Sequence, residues 1–169
     1  MTDAFNSFFA NIGRNLTKKI PTVNKSPLQY LAVPPNDSFF LFPTPTVKIE
    51  NEITRLNVNK FTGPYSIPVA ILKITKQVIS TPLEIIFNVS YSTGIVPDLF
   101  KIAKVTPVFK KGEQASLNNY HPISTLSLFN KLLEKQMHKR ILDFLDKNKL
   151  IYCEQFGFCA NHSTDHAII

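Results

Sequence analysis

The chain has 169 residues, 44% of them hydrophobic and 18% charged, a composition that excludes a wholly disordered protein. Nineteen lysines and arginines against twelve acidic residues give a net charge of +7, which favours nucleic acid or another polyanion as partner. The sequence has no apolar run of about 18 residues and no signal peptide. We therefore expect an intracellular protein, cytoplasmic or nuclear, without a membrane segment.

Residues 2–19 are predicted to form an amphipathic helix, because large apolar residues recur there with the helical period. These residues are Phe5, Phe8, Phe9, Ile12 and Leu16. We expect Thr2 or Asp3 to cap this helix and its apolar stripe to pack on the same domain. Residues 20–45 contain six prolines and predict an irregular linker, pinned to a surface by the apolar run at 39–42.

Three short helices are predicted in the next part of the chain. The first covers residues 46–57, with Thr46 as its cap. The second begins at Pro68, and the third begins at Ser80 or Thr81 and ends before Gly94, which suits a left-handed terminator. The second helix is expected to bury Ile67, Ile71, Leu72 and Ile74.

The stretch from Leu99 to Ser127 is predicted to form a β-hairpin, in which an apolar strand ends in a lysine pair and a return segment contains a proline. From Lys101 to Lys111 there are four lysines and no acid, and Pro107 marks an edge position or a bulge. Two interpretations remain open. The lysines either keep a solvated strand edge from aggregating or present ammonium groups to a phosphate ligand.

Residues 125–148 give the clearest helical pattern in the chain. The charged face of this helix is either solvated or in contact with a nucleic-acid backbone. A tight apolar turn is predicted at 156–158, followed by a helix that starts at Ser163 or Thr164. Because the sequence ends about one turn into that helix, we expect a truncated chain.

Other kinds of site have weak support in the sequence. A zinc set is conceivable, although its spacing matches no standard pattern; its members would be Cys153, Cys159, His162 and His166. Ser124 beside His121 lacks a nucleophile elbow, and both the phosphate-binding loop and the dinucleotide fingerprint are missing. The closest acid pairs, Glu50/Glu52 and Asp143/Asp146, are interpreted as surface charges. The residues alone therefore predict a basic, mostly helical module without a catalytic centre.

Four blocks, in order and with matching spacing, carry a resemblance to a known family. They are FTGPYSIPVAILK, PLEIIFNVSYSTGIVPDLFKIAKVTPVFKKG, NNYHPISTLSLFNKLLEK and LIYCEQFGFCANHSTDHAI. Over residues 60–169 the chain resembles the reverse transcriptase of jockey-like non-LTR retrotransposons. The N-terminal AFNSFFANIG resembles the connector that follows the endonuclease domain in these polyproteins. The resemblance implies a part of an RNA-directed DNA polymerase, a nucleotidyltransferase of a mobile element.

The resemblance further implies an α+β fold that is a partial right-hand polymerase. Residues 1–59 would be the N-terminal extension or connector and residues 60–169 the truncated fingers, with the palm and its catalytic aspartates absent. The chain would hold no cofactor and no metal of its own, whereas the intact family enzyme uses Mg²⁺. The partners of the intact enzyme would be an RNA template, a DNA primer and a dNTP, and the oligomeric state stays open.

Nucleotide or template binding is implied for a set of matched positions and catalysis for none. The matched positions are Lys104, Lys110, Lys111, His121, Pro122, Gln155, Phe156 and Gly157. Lys110 and Lys111 fall in the family's PIFKKG block. His121 stands where the NYRPIS block has an arginine that contacts the triphosphate, and Cys159 replaces the arginine of QFGFR.

These departures bear on function, because an imidazole cannot make the bidentate phosphate contact of a guanidinium group. Tyr65 and Ser66 also replace the aspartate and glycine of the family's TGPDGIP block. We expect the template- and dNTP-gripping part of a reverse transcriptase, inactive alone. The alternatives are a domesticated RNA- or protein-binding module without catalysis and a decayed, non-functional copy.

Overall fold

The computed structural model describes residues 2–21, 26, 37–58, 62–152, 154–159, 163 and 165. Within these residues the protein is mostly helical with one two-stranded antiparallel sheet, in agreement with the predicted α+β class. The elements in chain order are α1 (Thr2–Thr17), α2 (Thr46–Thr54), α3 (Val69–Ile74), α4 (Lys76–Thr93), α5 (Asp98–Lys101), β1 (Ala103–Phe109), a 3₁₀ turn (Leu117–Asn119), β2 (Tyr120–Leu126) and α6 (Leu128–Lys147). None of the helices described is both long and apolar enough to cross a bilayer.

Several sequence predictions fall outside the described residues. They include most of the proposed linker, the boundary expected between residues 59 and 60, and the helix expected after Ser163. Three of the four candidate zinc ligands also lie outside them; these are Cys153, His162 and His166.

The core lies where α2, α3 and α4 pack together and where α2 and α5 contact α6. The ring of Phe87 is fully buried, and its centroid lies 6.5 Å from that of Phe100. Burying each such side chain contributes about 1.5–3 kcal/mol. The buried apolar residues are Ile49, Ile53, Val69, Leu72, Leu83, Phe87, Phe100, Leu128, Leu132 and Leu133.

Helix α2 begins at Thr46 as predicted, but its predicted cap and the predicted start of α4 are wrong. The N-cap of α2 is Pro45, and the hydroxyl of Thr46 instead hydrogen-bonds the carboxylate of Glu84 on α4. Helix α4 begins at Lys76 and contains Pro82, which was expected near the start of the helix. Its predicted end is confirmed, because Gly94 has φ of 72° in the left-handed region that glycine adopts without strain.

The apolar side predicted for α3 is confirmed at Leu72 and wrong at Ile71 and Ile74. Val69 and Leu72 are buried, whereas Ile71 is 51% exposed and Ile74 is 80% exposed. Because α3 has only six residues, its contacts with α2 and α4 decide which side is covered. Local periodicity over such a short helix cannot fix that choice.

Glu52 is not the surface charge that its position in the sequence suggests. It is nearly buried, 3.6 Å from the guanidinium of Arg55 and in an ion pair with Lys135 of α6. A buried carboxylate needs such partners, because its unpaired charge would be costly to desolvate. The ion pair with Lys135 therefore links α2 to α6.

The predicted hairpin is confirmed, with different ends. Asp98–Lys101 is a helical turn that buries Phe100, so the strand begins at Ala103 rather than at Leu99. Strand β2 continues to Leu126, and α6 begins after Ser127, whose hydroxyl accepts a hydrogen bond of 3.2 Å from the N–H of Asn130. This side-chain cap moves the start of the helix beyond residue 125.

The amphipathic helix predicted at the N-terminus is confirmed, but its apolar stripe is only partly covered. No residue of α1 is buried. The ring of Phe5 meets that of Tyr120 edge-on at 4.8 Å, whereas Ile12 and Leu16 are exposed. Helix α1 therefore contacts the hairpin through the N-terminal part of its stripe.

Residues 37–45, here called the strap, form an extended segment fixed by Thr44. The side chain of Asn88 makes two hydrogen bonds to the backbone of Thr44, accepting from its N–H at 2.7 Å and donating to its carbonyl at 3.1 Å. The hydroxyl of Thr44 donates to Gln136 Oε1 at 2.7 Å and accepts from Arg140. The expected extended, anchored segment is thus confirmed, but the expected anchor is wrong: Thr44 holds the segment, whereas Phe40 and Phe42 of the apolar run are exposed.

Arg140 extends this anchor. Its guanidinium also donates to the carbonyl of Phe42 and lies 4.8 Å from the ring centroid of Tyr91. Burial raises the pKa of the Tyr91 hydroxyl, and the positive charge of Arg140 opposes that rise. One cation of α6 therefore holds the strap and α4 together.

We predict that Arg140→Met lowers the free energy of unfolding by about 1–3 kcal/mol, because Phe42 and Thr44 lose a charged hydrogen-bond donor while the apolar stem is kept. Urea unfolding followed by circular dichroism measures the change. Lys139→Met removes the same charge from the exposed neighbouring position and should have little effect. Equal losses in the two variants would contradict the anchoring role of Arg140.

Gly63 is the point at which the turn before α3 touches the end of the hairpin. A Cβ atom there would clash with the carbonyl of Leu126 and lie 2.8 Å from Cα of Ser127. Both neighbours are backbone atoms, so they cannot move aside as a flexible side chain would. Close approach of two backbones therefore requires glycine at this position.

We predict that Gly63→Ala destabilises the protein by about 1–3 kcal/mol through overpacking, as measured by thermal unfolding. Gly13→Ala is the matched control, because a Cβ at that helical position meets nothing within 4 Å. The control should raise stability by about 0.5–1 kcal/mol. A Gly63 variant as stable as the control would show that the two segments do not approach as described.

Candidate nucleic-acid interface

The hairpin has two faces, set by the alternation of side chains along its strands. Ala103 pairs with Leu126 at one end and Phe109 with Tyr120 at the other. The inner face consists of Ala103, Val105, Pro107, Phe109, Tyr120, Pro122, Ser124 and Leu126. The outer face consists of Lys104, Thr106, Val108, His121, Ile123 and Thr125.

The inner face lies against α1 across an apolar groove of about 740 Å³. Phe5 and Phe9 line the groove on the helix side, and Val105, Pro107 and Pro122 line it on the hairpin side. Helix α1 therefore lies over the inner face but covers it only in part, since Val105 is still 44% exposed.

Two prolines face each other in the hairpin, Pro107 on β1 and Pro122 on β2. The N–H of Lys110 donates to the carbonyl of Asn119 at 2.8 Å, so alternation along the ladder places the proline pair at a non-hydrogen-bonded position. No ladder hydrogen bond is lost there, and Pro107 sits within a regular strand rather than at a bulge.

The outer face combines basic and apolar side chains. His121 lies opposite Val108, and Lys110 is a diagonal neighbour of His121, one step beyond the end of β1. Lys104 lies on the same face, four residues and about 14 Å along the strand from Val108 at 3.4 Å per residue. Val108 and Ile123 are 42% and 52% exposed, so two aliphatic side chains face solvent here.

The loop between the strands is folded back on itself. The side chain of Asn119 donates to the carbonyl of Glu113 at 2.9 Å, and the hydroxyl of Tyr120 donates to the carbonyl of Gln114 at 3.0 Å. These two bonds fix the loop that carries Lys111. Its ammonium group is therefore displayed from an ordered turn.

The four lysines of the hairpin region differ in their partners. Lys101 forms an ion pair of 2.9 Å with Asp98, and this hydrogen bond and charge lower the pKa of the Asp98 carboxyl. Lys104, Lys110 and Lys111 are exposed, and within the described residues no acidic side chain pairs with them. Three of the four are thus unneutralised on or beside the outer face.

The remaining sequence-predicted residues lie elsewhere. Pro122 is on the inner face, toward α1. Gln155 and Gly157 belong to a separate turn, in which the amide of Gln155 donates to the carbonyl of Gly157 at 2.8 Å. Phe156 is half-buried in that turn and Phe158 is fully exposed. The structure therefore brings together Lys110, Lys111 and His121 from the predicted set, with Lys104 farther along the same face.

Within the described residues, no group of three histidine, cysteine or acidic side chains is arranged to hold a metal ion. No step of a metal-dependent reaction is therefore assigned to these side chains. What the outer face offers is positive charge, hydroxyl groups and two exposed aliphatic side chains.

Comparison with known proteins gives three curated relatives, and no family model matches the chain. The first, a probable RNA-directed DNA polymerase from transposon BS of Drosophila melanogaster, is 29% identical over 138 residues, which are 81% of this chain and 15% of the relative. The second, the RNA-directed DNA polymerase from mobile element jockey of the same organism, is 27% identical over 92% of this chain and 18% of the relative.

A third relative is the jockey polymerase of Drosophila funebris, 25% identical over 72% of this chain and 13% of the relative. The chain thus spans less than a fifth of the length of the curated proteins that it matches. Three matches that agree in name and cover most of the chain confirm the resemblance found in the sequence blocks. The chain is similar, over a part of their length, to the RNA-directed DNA polymerases of transposon BS and of mobile element jockey.

Proposed function

We propose that this chain is the part of an RNA-directed DNA polymerase that grips the template strand and the incoming nucleotide in the fingers of a right-hand polymerase. The names of the relatives support the polymerase. The observation that carries the gripping role is the hairpin, an ordered two-stranded ribbon whose Lys104, Lys110 and Lys111 pair with no acidic side chain of the described residues.

The physical basis of the gripping role is phosphate contact. Lysine is a compact, flexible charge that binds phosphate without demanding one geometry, which suits a strand of varying sequence. The outer face offers the hydroxyls of Thr106 and Thr125 between its cations. RNA template, DNA primer and dNTP are the proposed ligands of the whole enzyme, and Mg²⁺ held outside the described residues would serve the transfer chemistry.

A binding module without catalysis is the second candidate. It is favoured by His121 and Cys159, which stand where the family has arginines. In that case the lysines would still hold RNA, but the triphosphate contact would be missing. The two candidates differ in nucleotide binding rather than in RNA binding.

We predict that Lys110→Ala combined with Lys111→Ala weakens RNA binding and lowers the steepness of its salt dependence. Each phosphate contact on a single strand contributes about −0.7 to the slope of log K against log salt, so the slope should fall in magnitude by about 1.4. Filter binding across a salt series measures it. The adjacent pair Lys18→Ala and Lys19→Ala makes the same change in charge and should leave the slope nearly unchanged.

An unchanged slope in the Lys110 and Lys111 variant would remove the hairpin from the RNA interface. Absence of binding by the unmodified chain at low salt would refute both candidate functions, since each requires RNA to be held.

We predict that His121→Arg tightens dNTP binding by about 10- to 150-fold, because a charged hydrogen bond to phosphate is worth about 1.5–3 kcal/mol. Fluorescence titration with a labelled dNTP measures the affinity. His138→Arg, an exposed histidine on α6, is the control for added positive charge. Equal affinities of the two variants would contradict a nucleotide pocket beside His121 and favour the binding module.

A further inference from the structure

The strap displays two phenylalanine rings to solvent although the segment itself is anchored. Phe40 is 63% exposed and Phe42 is 68% exposed, with their ring centroids 4.9 Å apart. Successive residues of an extended chain lie on opposite sides, so Phe40 and Phe42, two positions apart, share one side. Phe39 packs edge-on against Phe144 of α6 at 5.4 Å. The anchored strap thus holds Phe40 and Phe42 in place without burying them.

Two adjoining clefts flank these rings. One, of about 600 Å³, lies between the strap and the second half of α6, and the other, of about 430 Å³, lies between the strap and the end of α4. Phe39 and Phe40 line both clefts. Together the clefts are here called the strap groove. Each is large enough to admit a flat ring system beside the phenylalanines.

The rim of the strap groove is mixed in charge with a cationic excess. Lys48, Arg140 and Lys147 line the larger cleft, together with Asp37 and Asp143. Lys147 pairs with Asp37 at 2.7 Å, but both side chains are more than half exposed. Such a surface pair contributes little to stability, so Lys147 can exchange the carboxylate for a phosphate at small cost.

We propose that the strap groove binds single-stranded nucleic acid, with bases stacked on Phe40 and Phe42 and phosphates held by Lys48 and Lys147. Anchored aromatic rings beside lysines are the physical basis of sequence-tolerant single-strand binding, because every base has a face that stacks. Double-stranded nucleic acid does not fit, since its bases are already stacked on each other. The excess of cations on the rim favours a polyanion over an acidic or neutral peptide.

This site is distinct from the hairpin. The hairpin joins α6 at Ser127 and the strap crosses it at Arg140, which is about 20 Å away at 1.5 Å per residue. Substitutions in the two places share no contact partner in the described residues. Their effects on binding free energy should therefore add.

The test uses the full chain and three labelled probes of equal charge: an oligoadenylate RNA, its DNA counterpart and an abasic strand. Fluorescence anisotropy gives the affinity for each. The unmodified chain should bind both base-containing strands at least about tenfold more tightly than the abasic strand. Phe40→Ala combined with Phe42→Ala should remove most of that difference while leaving the affinity for the abasic strand nearly unchanged.

The matched control is Ile85→Ala with Val89→Ala, which removes two similarly exposed apolar side chains from α4. Phe40→Leu with Phe42→Leu keeps the apolar bulk without an aromatic face, so this variant should fold even if the alanine variant does not. It should lose the preference for base-containing strands as the alanine variant does. In the variant with Lys110→Ala and Lys111→Ala, the ratio of the affinities for base-containing and abasic strands should be the same as in the unmodified chain. The strap groove can therefore be tested even if the hairpin does not bind RNA.

Three outcomes would overturn the proposal. Equal binding of base-containing and abasic strands by the unmodified chain would refute stacking, and an unchanged preference in the Phe40 and Phe42 variant would place stacking elsewhere. Self-association of the chain in analytical ultracentrifugation that disappears in this variant, with nucleic-acid affinity intact, would assign the groove to a protein contact. A preference for RNA over DNA would support the groove as an RNA site, and equal affinity would support it as a site for either strand.

Discussion

The structure depends on one fully buried polar residue, Thr44. Its N–H, carbonyl and hydroxyl groups all find partners, on Asn88 of α4 and on Gln136 and Arg140 of α6. Leaving any of them unpaired would cost about 1–3 kcal/mol, so strap, α4 and α6 must come together in one arrangement. Apolar packing alone would tolerate sliding of the strap along the helices, whereas directional hydrogen bonds fix its register.

Helix α6 carries this constraint to the hairpin. Ser127 is the N-cap of α6 and directly follows the last residue of β2, so the start of the helix sets the direction of the strand. Gly63 then packs on the backbone at Leu126 and Ser127, which brings the turn before α3 to the same point. The exposed lysines are consequently held on a ribbon whose base is fixed by three backbone segments, and the ribbon can present charge without large changes in shape.

Sequence periodicity predicted the elements whose pattern is long or chemically explicit, namely α1, the hairpin, α6 and the terminator Gly94. It failed where tertiary contacts decide, because α3 is too short for its buried side to be encoded locally and Glu52 is buried by ion pairs from distant residues. The hairpin lysines were predicted from charge and block resemblance, and pairing then grouped Lys104, Lys110 and His121 on one face while placing Pro122 on the other. The strap was predicted as a linker pinned by its apolar run, and its anchor at Thr44 was missed, since no local pattern indicates that Thr44 meets residues 44 to 96 positions away.

The two candidate surfaces differ in the interaction that each would use. On the outer face of the hairpin the exposed apolar side chains are aliphatic, and within the described residues three hairpin lysines have no acidic partner, so Coulombic attraction to phosphate dominates and salt should weaken it. In the strap groove, acids offset most of the cations and the exposed residues are aromatic, so stacking dominates and salt matters less. A single nucleic-acid strand that contacted both surfaces would be held by its phosphates at the hairpin, near the start of α6, and by its bases at the strap groove, near the end of α6. Because both surfaces are built on the same helix, the anchor at Thr44 and Arg140 would determine their separation.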